Sequence, residues 1–581
     1  MAGPRTIPAR QSTDLATVDI FSDGEKVPES VQILGVGVNR SVNRIPSATL
    51  RIRDGDPSKE EFNISSGELF VPGRTIRIDL GYHNDNDTVF EGLIIRHRIS
   101  ASGRDGSTLE IECKDPAVKM TAGRKNRFFR ESNDGDIIGE LIDAYGLEKQ
   151  IENTPVEHLQ MVQFYATDWD FILSRAEMNG RVVVVDDGKI TVKKPEIDDP
   201  ELELTFGATI FDFEAGMDVR DHYSEVTSSG WNQADQALSD VTGENPPPET
   251  AGNISVEDLA DILNNGSLKL RHSGNRSDVE LQGWADAALA RSRLTKIRGR
   301  VKCQGFAGIK PGDTLKLHGL GDRFNGRVFV AGVSHRLSTG KWYTDIEFGL
   351  SSKWFYKEKD IMERPASGML PAINGLQAGV VRQLEDDPDG EERIRVSIPV
   401  VDPGDEGIWA RLLLPDAGEE RGMVFRPDIG DEVLVGFVND DPRDAVVLGM
   451  LHSSAKPSPI PADDDNPHKG VVTREQLKLI FDDEEKLVRI ETPGGNAMLL
   501  SDADEGIRLE DQNGNVIEMG PDGIKLKSNS DINISAAGDV NTEGVNISQS
   551  AQAACEVEGS ASATLSSSGV TEVKGSMVKI N

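Results

Sequence analysis

The chain has 581 residues, with 63 Lys and Arg against 98 Asp and Glu, a formal net charge of −35 and only 5% aromatic residues. This length suits about three to four domains, and such an acidic chain would repel phosphates, which argues against nucleic-acid binding. The three cysteines lack CxxC spacing, and no apolar run could form a signal peptide or a membrane span. We therefore expect folding in a reducing cytoplasm, without a disulfide framework.

The first part of the chain is predicted to be one domain, residues 1–365, made of two β-rich halves. Short alternating strands separated by Gly, Asp and Asn turns begin near residue 15, and strands return after residue 296. Apolar residues at helical spacing indicate helical segments at about 134–180 and 255–296. Residues 233–277 contain a Pro-rich stretch and are predicted to be an inserted loop, whose role the sequence does not indicate.

Residues 370–455 are predicted to form a small barrel, because strand, turn and strand alternate within fewer than about a hundred residues. Residues 456–470 are rich in Pro and Asp and are predicted to be an extended linker. The acidic run PADDDNP in this linker has the carboxylates that a glycosidase needs. It has no folded cleft to position them, so we interpret it as solvated chain.

Residues 471–581 differ in kind, because pairs of mostly apolar residues recur at seven to ten residues and settle at eight. Short strands at a fixed short period indicate a β-solenoid. Two inward residues per repeat are too few to fill the core of one chain, but three intertwined chains can fill it. The predicted needle core comprises Ile524, Leu526, Ile532, Ile534 and Val540. The alternative is a disordered low-complexity tail.

The barrel segment GIWARLLLPDAGEERGMVFRPDIGDEVLVGFVNDDPRDAVVLGML resembles the oligosaccharide/oligonucleotide-binding (OB)-type barrel of VgrG and of the hub–spike proteins of contractile phage tails. The signature positions are Trp409, Arg411, Gly430, Asp431 and Glu432. The stretches LFVPGRTIRIDLGY and QFYATDWDFILSRAEMNGRVVVVDDGKI are similar to the hub of the same family. The compact length is typical of phage-like extracellular contractile injection systems.

The resemblance implies a mainly β fold: a duplicated β-barrel hub with a few helices, a small OB-type barrel, and a C-terminal triple-stranded intertwined β-helix in a homotrimer. It implies that the trimeric hub docks on a hexameric inner tube and on baseplate proteins. At that contact the threefold symmetry of the hub meets the sixfold symmetry of the tube. The needle would puncture a target envelope. The particle would assemble in the bacterial cytoplasm and be released or membrane-anchored. Since no toxin domain follows the needle, we expect any payload to be carried elsewhere.

The last residues are predicted to bind a cap, because a blunt threefold end with unpaired strand edges and apolar side chains is adhesive. The resemblance implies that this cap is a PAAR-type tip protein. The predicted tip-cap residues are Met577, Val578, Ile580 and Asn581.

No residue is predicted to be catalytic, to bind a cofactor or to hold a metal. GxSxG, HExxH and phosphate-loop motifs do not occur, and no histidine follows His468 to ligate an ion on the needle axis. Cys555 is predicted to face that axis as a small hydrophobe or, alternatively, in a redox or metal cluster. His97 and Arg98 are predicted to be structural or surface residues. The predicted function is a non-enzymatic hub–spike; the alternative is a β-helical tailspike enzyme that degrades envelope polysaccharide.

Overall fold

The computed structural model describes residues 5–6, 15–103, 106–244, 250–264, 266–357 and 361–580. They are mainly β, which confirms the predicted fold class, and they divide into two compact units. The first unit is Met1–Asn374 with Asn439–Pro442, and the second is Gly375–Val438 with Arg443–Asn581. No helix within the described ranges is long and apolar enough to cross a membrane.

The first unit contains 22 strands and four α-helices among its described residues. In chain order they are β1 (Arg5–Thr6), β2 (Ala16–Ser22), β3 (Glu25–Lys26), β4 (Ile33–Ser41), β5 (Ser47–Arg53), β6 (Thr75–Tyr82), β7 (Asp85–Ser102), β8 (Gly106–Lys114), β9 (Lys125–Asn133), α1 (Asp134–Asp143), β10 (Glu148–Ile151), β11 (Glu157–Ala166), α2 (Asp168–Met178), β12 (Val182–Asp186), β13 (Lys189–Lys193), β14 (Leu202–Thr205), β15 (Ile210–Met217), β16 (Glu225–Asn232), β17 (Ala237–Thr242), α3 (Val256–Ile262), β18 (Ser267–His272), α4 (Asp278–Leu294), β19 (Ile297–Gln304), β20 (Thr314–His318), β21 (Gly326–Ser338) and β22 (Lys341–Phe348).

Fourteen of these strands form one sheet that carries two separate hydrophobic cores. The long strand β21 belongs to both halves, because it pairs with β20 and β22 in one half and with β4 in the other. Its register against β22 shifts between Val330 and Gly332, and such bulges bend a strand. The two predicted β-rich halves are therefore joined through β21 into one continuous sheet.

Helices α1 and α2 begin at side-chain caps, since Asn133 accepts a hydrogen bond from the Asp136 amide and Thr167 accepts one from the Asp170 amide. Both helices pack on the β12–β13 hairpin through a shared apolar core. The hairpin closes in a tight turn, since Asp187 and Gly188 both adopt the positive φ that such a turn requires.

Residues 233–244, 250–264 and 266–277 are not the inserted loop that the sequence predicted, and the Pro-rich stretch 245–249 lies outside the described residues. They contain β17, α3 and β18, and β16 pairs with β17 on one side and with β18 on the other. Leu289 of α4 is buried over this small sheet, and Leu268 and Leu270 of β18 pack against the same cluster. The described part of the segment thus forms a layer of strands and a helix, whose strand pairing is nonlocal and could not be inferred from local composition.

The second unit begins with the strands β23 (Gln377–Gln383), β24 (Ile394–Ser397), β25 (Ile408–Leu412), β26 (Ala417–Gly418), β27 (Arg421–Gly422), β28 (Glu432–Phe437) and β29 (Ala445–Met450). Five of them close into a barrel in the order β23, β24, β25, β29, β28. Buried valines fill it, among them Val381, Val433 and Val447. The predicted small five-stranded barrel is confirmed.

The rest of the second unit contains a seven-stranded antiparallel meander. Its strands are β30 (His468–Val472), β31 (Lys478–Asp482), β32 (Leu487–Glu491), β33 (Ala497–Ser501), β34 (Gly506–Glu510), β35 (Val516–Gly520) and β36 (Gly523–Lys527). Each strand pairs only with its neighbours in the chain. Turn side chains hold the meander together, as Asp511 accepts hydrogen bonds from the amides of Asn513 and Asn515. Residues 528–580 contain no assigned strand in the single chain.

Candidate assembly surfaces

One face of the meander, which we call the apolar face, carries two continuous rows of large apolar side chains. Successive residues of a strand point to opposite faces, and the register aligns alternate residues into two rows. The first row is Leu479, Ile490, Met498, Leu509, Ile517 and Leu526. The second row is Phe481, Val488, Leu500, Ile507, Met519 and Ile524.

The apolar face is substantially exposed in the single chain. Phe481 is 44% exposed, Ile490 is 45% exposed, and the values rise to 59% for Leu526 and 71% for Ile524. A groove of about 620 Å³ runs along the first row, from Ile490 to Leu526. Contiguous apolar surface of this kind marks an interaction site, and covering one such side chain stabilises an assembly by about 1 kcal/mol or more.

The opposite face of the meander mixes charged side chains with partly buried apolar ones, among them Ile480, Leu487, Leu499 and Val516. Arg508 lies 3.5 Å from Glu518 and 3.0 Å from Glu510, and Lys525 lies 3.6 Å from Glu518. Such exposed pairs contribute less than about 1 kcal/mol each, so they indicate a face that suits water rather than one that drives association. The two continuous apolar rows lie on one face of this sheet, and that face gains most from being covered.

The predicted needle-core residues fall into two groups. Ile524 and Leu526 lie in β36, at the ends of the two rows of the apolar face. Ile532, Ile534 and Val540 lie beyond the last strand and are exposed. The structure of one chain brings the first two into the apolar rows and leaves the other three unpaired by strand hydrogen bonds. Their role remains a prediction about the assembly.

Three of the four predicted tip-cap residues are exposed: Met577, Val578 and Ile580. None of them belongs to a strand in the described chain. Asn581 lies outside the described residues.

The barrel signature lies on two strands and the turn that precedes one of them. Gly430 has a φ of +87°, which a side chain would strain, and Glu432 then starts β28. Partial burial opposes ionisation of Asp431, but a 2.7 Å hydrogen bond from Lys456 outweighs it and holds the pKa of this carboxyl below its ordinary value. Trp409 and Arg411 lie in β25, where the Arg395 guanidinium is 5.9 Å from the Trp409 ring centroid. These signature residues therefore stabilise a turn and two strands of the barrel.

Within the described ranges, no group of three or more His, Cys, Asp or Glu side chains is placed to hold a metal ion. Burial raises the pKa of the Cys113 and Cys303 thiols to about 12, which makes them unreactive, while Cys555 is exposed. The His97 ring lies 2.8 Å from the Ser65 hydroxyl and 2.9 Å from the Phe70 carbonyl oxygen, so it links the connection between β5 and β6 to β7. Arg98 is exposed.

A second exposed apolar surface was missed by the sequence analysis: the ribbon of β9 and β11. Phe128 pairs directly with Val162, and Phe128 and Phe164 are both largely exposed. Phe129 is buried against Phe171, with their ring centroids 5.9 Å apart. Neighbouring residues of a strand face opposite sides. The consecutive residues Phe128 and Phe129 in the sequence could therefore have predicted that one of the two aromatic rings points outward.

Two families match the chain. Residues 12–339 match the family described as Alg8 N-terminal domain. Residues 377–452, which contain the closed barrel, match the type VI secretion system/phage-baseplate injector OB domain.

Curated relatives include two spike proteins from Pseudomonas aeruginosa. The type VI secretion system spike protein VgrG1a is 26% identical over 188 residues, which cover 29% of this chain and 29% of that protein. The spike protein VgrG1b is also 26% identical over 188 residues, covering 30% of this chain and 24% of the relative. The chain thus spans less than a third of the length of these relatives.

Similar solved structures include a 43 kDa tail protein of prophage MuSo2 from Shewanella oneidensis. It is 12% identical with a TM-score of 0.45, and the match covers 57% of this chain and 98% of that one. The E. coli c3393 protein, a component of the type VI secretion system, is 13% identical with a TM-score of 0.35, covering 74% of this chain and 99% of that one.

Proposed function

Because the chain belongs to the Alg8 N-terminal domain family and carries an injector OB domain, we propose that it is the structural hub–spike of a contractile injection system. The predicted resemblance to VgrG and to phage hub–spike proteins is confirmed by the barrel family and by the two curated spike proteins. Residues 1–365 serve as the hub, 370–455 as the barrel collar, 456–470 as a linker and 471–581 as the needle.

The observation that carries this proposal is the exposed apolar face of the meander. Three copies that turn this face towards a common axis bury both rows and leave the charged faces in water. Closed threefold symmetry also leaves no part of this apolar face open for the addition of further copies. In this arrangement each chain contributes one side of the shaft from its own meander, over residues 468–527.

The segment beyond β36 continues the shaft in the same trimer. Residues 528–580 have no strand in one chain, and their apolar residues recur in pairs, as at Ile532 and Ile534. Strand partners from two other chains supply the missing backbone hydrogen bonds, and three copies of each pair fill a narrow core. The needle core there comprises Ile532, Ile534 and Val540, and Cys555 packs as a small hydrophobe.

The mechanism is force transmission. The hub docks on a hexameric inner tube and baseplate proteins and passes their thrust through the barrel to the needle. Hydrogen-bond ladders stiffen the shaft, and the tip punctures the target envelope. A PAAR-type cap covers the apolar tip at Met577, Val578, Ile580 and Asn581. The protein folds in the bacterial cytoplasm and becomes part of an injection particle.

The alternative, a polysaccharide-degrading tailspike, needs two positioned carboxyl groups in a cleft. The groove on the meander has Glu510, Asp511 and Asp531 at its rim. Asp511 is committed to its turn, where amide hydrogen bonds hold the pKa of its carboxyl below the ordinary value. The same groove lies on the face that the proposed trimer buries, so we assign it to assembly and propose a non-enzymatic role.

Negative-stain imaging of the purified full-length chain tests this proposal. We expect particles with a wide head and one thin needle, and class averages of the head that show threefold symmetry. In a separate assay, we expect no release of reducing sugar from envelope polysaccharide. A squat particle that digests polysaccharide would overturn the spike assignment and favour the enzyme.

Tip capture is tested by deleting residues 575–581. We expect the truncated chain to lose capture of a PAAR-type protein in a pull-down assay, because the adhesive apolar end is gone, while particle shape is unchanged. Substituting Met577, Val578 and Ile580 by Ser at full length should have the same effect. Capture that survives both changes would place the cap contact elsewhere.

A further inference from the structure

A small pocket with aromatic walls opens in the first unit, between α2, α4 and the turn Phe355–Lys357. Its cavity measures about 290 Å³, and its walls include Trp284, Trp354 and Tyr356. The Trp354 and Tyr356 ring centroids are 6.2 Å apart. Met178 and the buried Leu281 complete an apolar interior. This cavity has room for one large apolar or aromatic side chain.

The pocket is held in shape by a buried ion pair. The Arg291 guanidinium lies 4.6 Å from the Trp354 ring centroid and donates hydrogen bonds to the Ser351 and Lys353 carbonyl oxygens, at 2.9 and 2.7 Å. It also pairs with Glu177 of α2, whose carboxylate accepts a 2.6 Å hydrogen bond from the Phe355 amide. The turn that carries the aromatic walls is therefore fastened to both helices, and a preformed pocket loses little entropy on binding.

The rim of the pocket is basic in a strongly acidic chain. His272 and Arg276 line it, with the Arg276 Nη2 3.2 Å from the His272 Nε2. The stretches KLRHSGNR (269–276) and SSKWFYK (351–357) border the pocket and contain no Asp or Glu, whereas the whole chain has a net charge of −35. The two carboxylates of the lining are paired with arginines, Glu280 with Arg276 at 3.7 Å and Glu177 with Arg291, so the charges of these pairs cancel. The excess positive charge at the border therefore comes from Lys269, Arg271, Lys353 and Lys357 of the two stretches.

We propose that this pocket binds an acidic segment of a partner protein. One apolar or aromatic side chain of the segment enters between Trp284, Trp354 and Tyr356, and flanking carboxylates pair with the bordering cations Lys269, Arg271, Lys353 and Lys357. Tryptophan, tyrosine and arginine around a desolvated cavity are the composition of binding hot spots, and opposite charge at the rim selects the partner. This also gives a role to part of the 233–277 segment, which supplies His272 and Arg276. The proposal goes beyond the hub–spike assignment and does not depend on it.

The test titrates three short peptides into the purified full-length chain, by calorimetry and by tryptophan emission. The peptides are acetyl-Asp-Glu-Phe-Glu-Asp-amide, its counterpart with Lys at all four acidic positions, and its counterpart with Ala in place of Phe. We expect the acidic Phe peptide to bind at least about tenfold more tightly than either counterpart, and more weakly as salt is raised.

Matched variants locate the site. Arg276→Glu and Tyr356→Ala should each weaken binding of the acidic Phe peptide at least about tenfold, while Arg130→Glu and Tyr165→Ala, exposed on the β9–β11 ribbon, should leave it within about twofold. Unchanged thermal unfolding of each variant shows that its fold is intact. Equal binding of the three peptides, no binding of any, or indifference to Arg276→Glu and Tyr356→Ala would overturn the proposal. Self-association that Tyr356→Ala abolishes would also overturn it, because the occupant would be a second copy of this chain.

Discussion

Leu526 and Lys525 are neighbours in β36 but point to opposite faces of the meander. In the single chain both side chains are largely exposed. A monomer would therefore tolerate an aspartate at either position about equally. In the proposed trimer the two positions differ, because Leu526 is buried with the apolar face and Lys525 stays exposed to water.

We expect Leu526→Asp to destabilise the assembly by at least about 2 kcal/mol per chain, since it places three carboxylates in an apolar core. Lys525→Asp is the matched control and should cost less than about 1 kcal/mol, the worth of an exposed ion pair. Thermal unfolding of the two variants at equal chain concentration measures the difference. Equal losses would show that the apolar face is not buried.

Asp313 in the first unit gives a prediction about pH. Burial raises the pKa of this carboxyl to about 6, although the Lys310 amide donates a 2.7 Å hydrogen bond to it. A carboxyl with a higher pKa in the folded than in the unfolded state contributes stability that is fully present below about pH 4 and is lost as pH rises through about 6.

Asp313→Asn keeps the acceptor oxygen and removes the buried charge. It should raise stability by about 1 to 3 kcal/mol at pH 7.5 and change it little at pH 4.5. Chemical denaturation at the two pH values measures this, with the linker variant Asp464→Asn as a control that changes neither. An equal gain at both pH values would mean that the charge of Asp313 is not the cause.

At the scale of elements, the sequence was most informative where local chemistry decides the structure. Turn residues and alternating strands predicted the barrel, and helical spacing with Gly after it predicted α1 and α2. Pairing between distant segments was not predictable: β21 joins the two halves of the hub sheet, and β18 pairs with β16 across an inserted helix. The recurring pairs of apolar residues predicted short strands in residues 471–581. They did not indicate whether the strand that pairs with each one belongs to the same chain or to another copy.

The meander and the segment after it can be separated by truncation. A chain ending at residue 527 retains both rows of the apolar face, so we expect it to associate as a trimer. A chain ending at residue 467 lacks the whole meander and is the control, expected to lose most of its association. Sedimentation velocity measures both. A monomeric 1–527 chain would assign trimer formation to residues 528–581 instead of the apolar face.

At the scale of the whole molecule, the acidic charge and the apolar face have complementary consequences. A net charge of −35 keeps particles apart in solution, and the charged face of each meander remains in water. Association is then confined to the surfaces where apolar side chains are continuous. A spike needs this restriction, because an open-ended contact would produce fibres in place of one closed trimer.

The mass of the native particle tests the central claim most directly. Size-exclusion chromatography of the full-length chain with light scattering should give three times the chain mass of 63.2 kDa, unchanged over a hundredfold dilution. A particle with the mass of one chain or of two would contradict the account, because the apolar face would then be left open or be covered by a twofold contact.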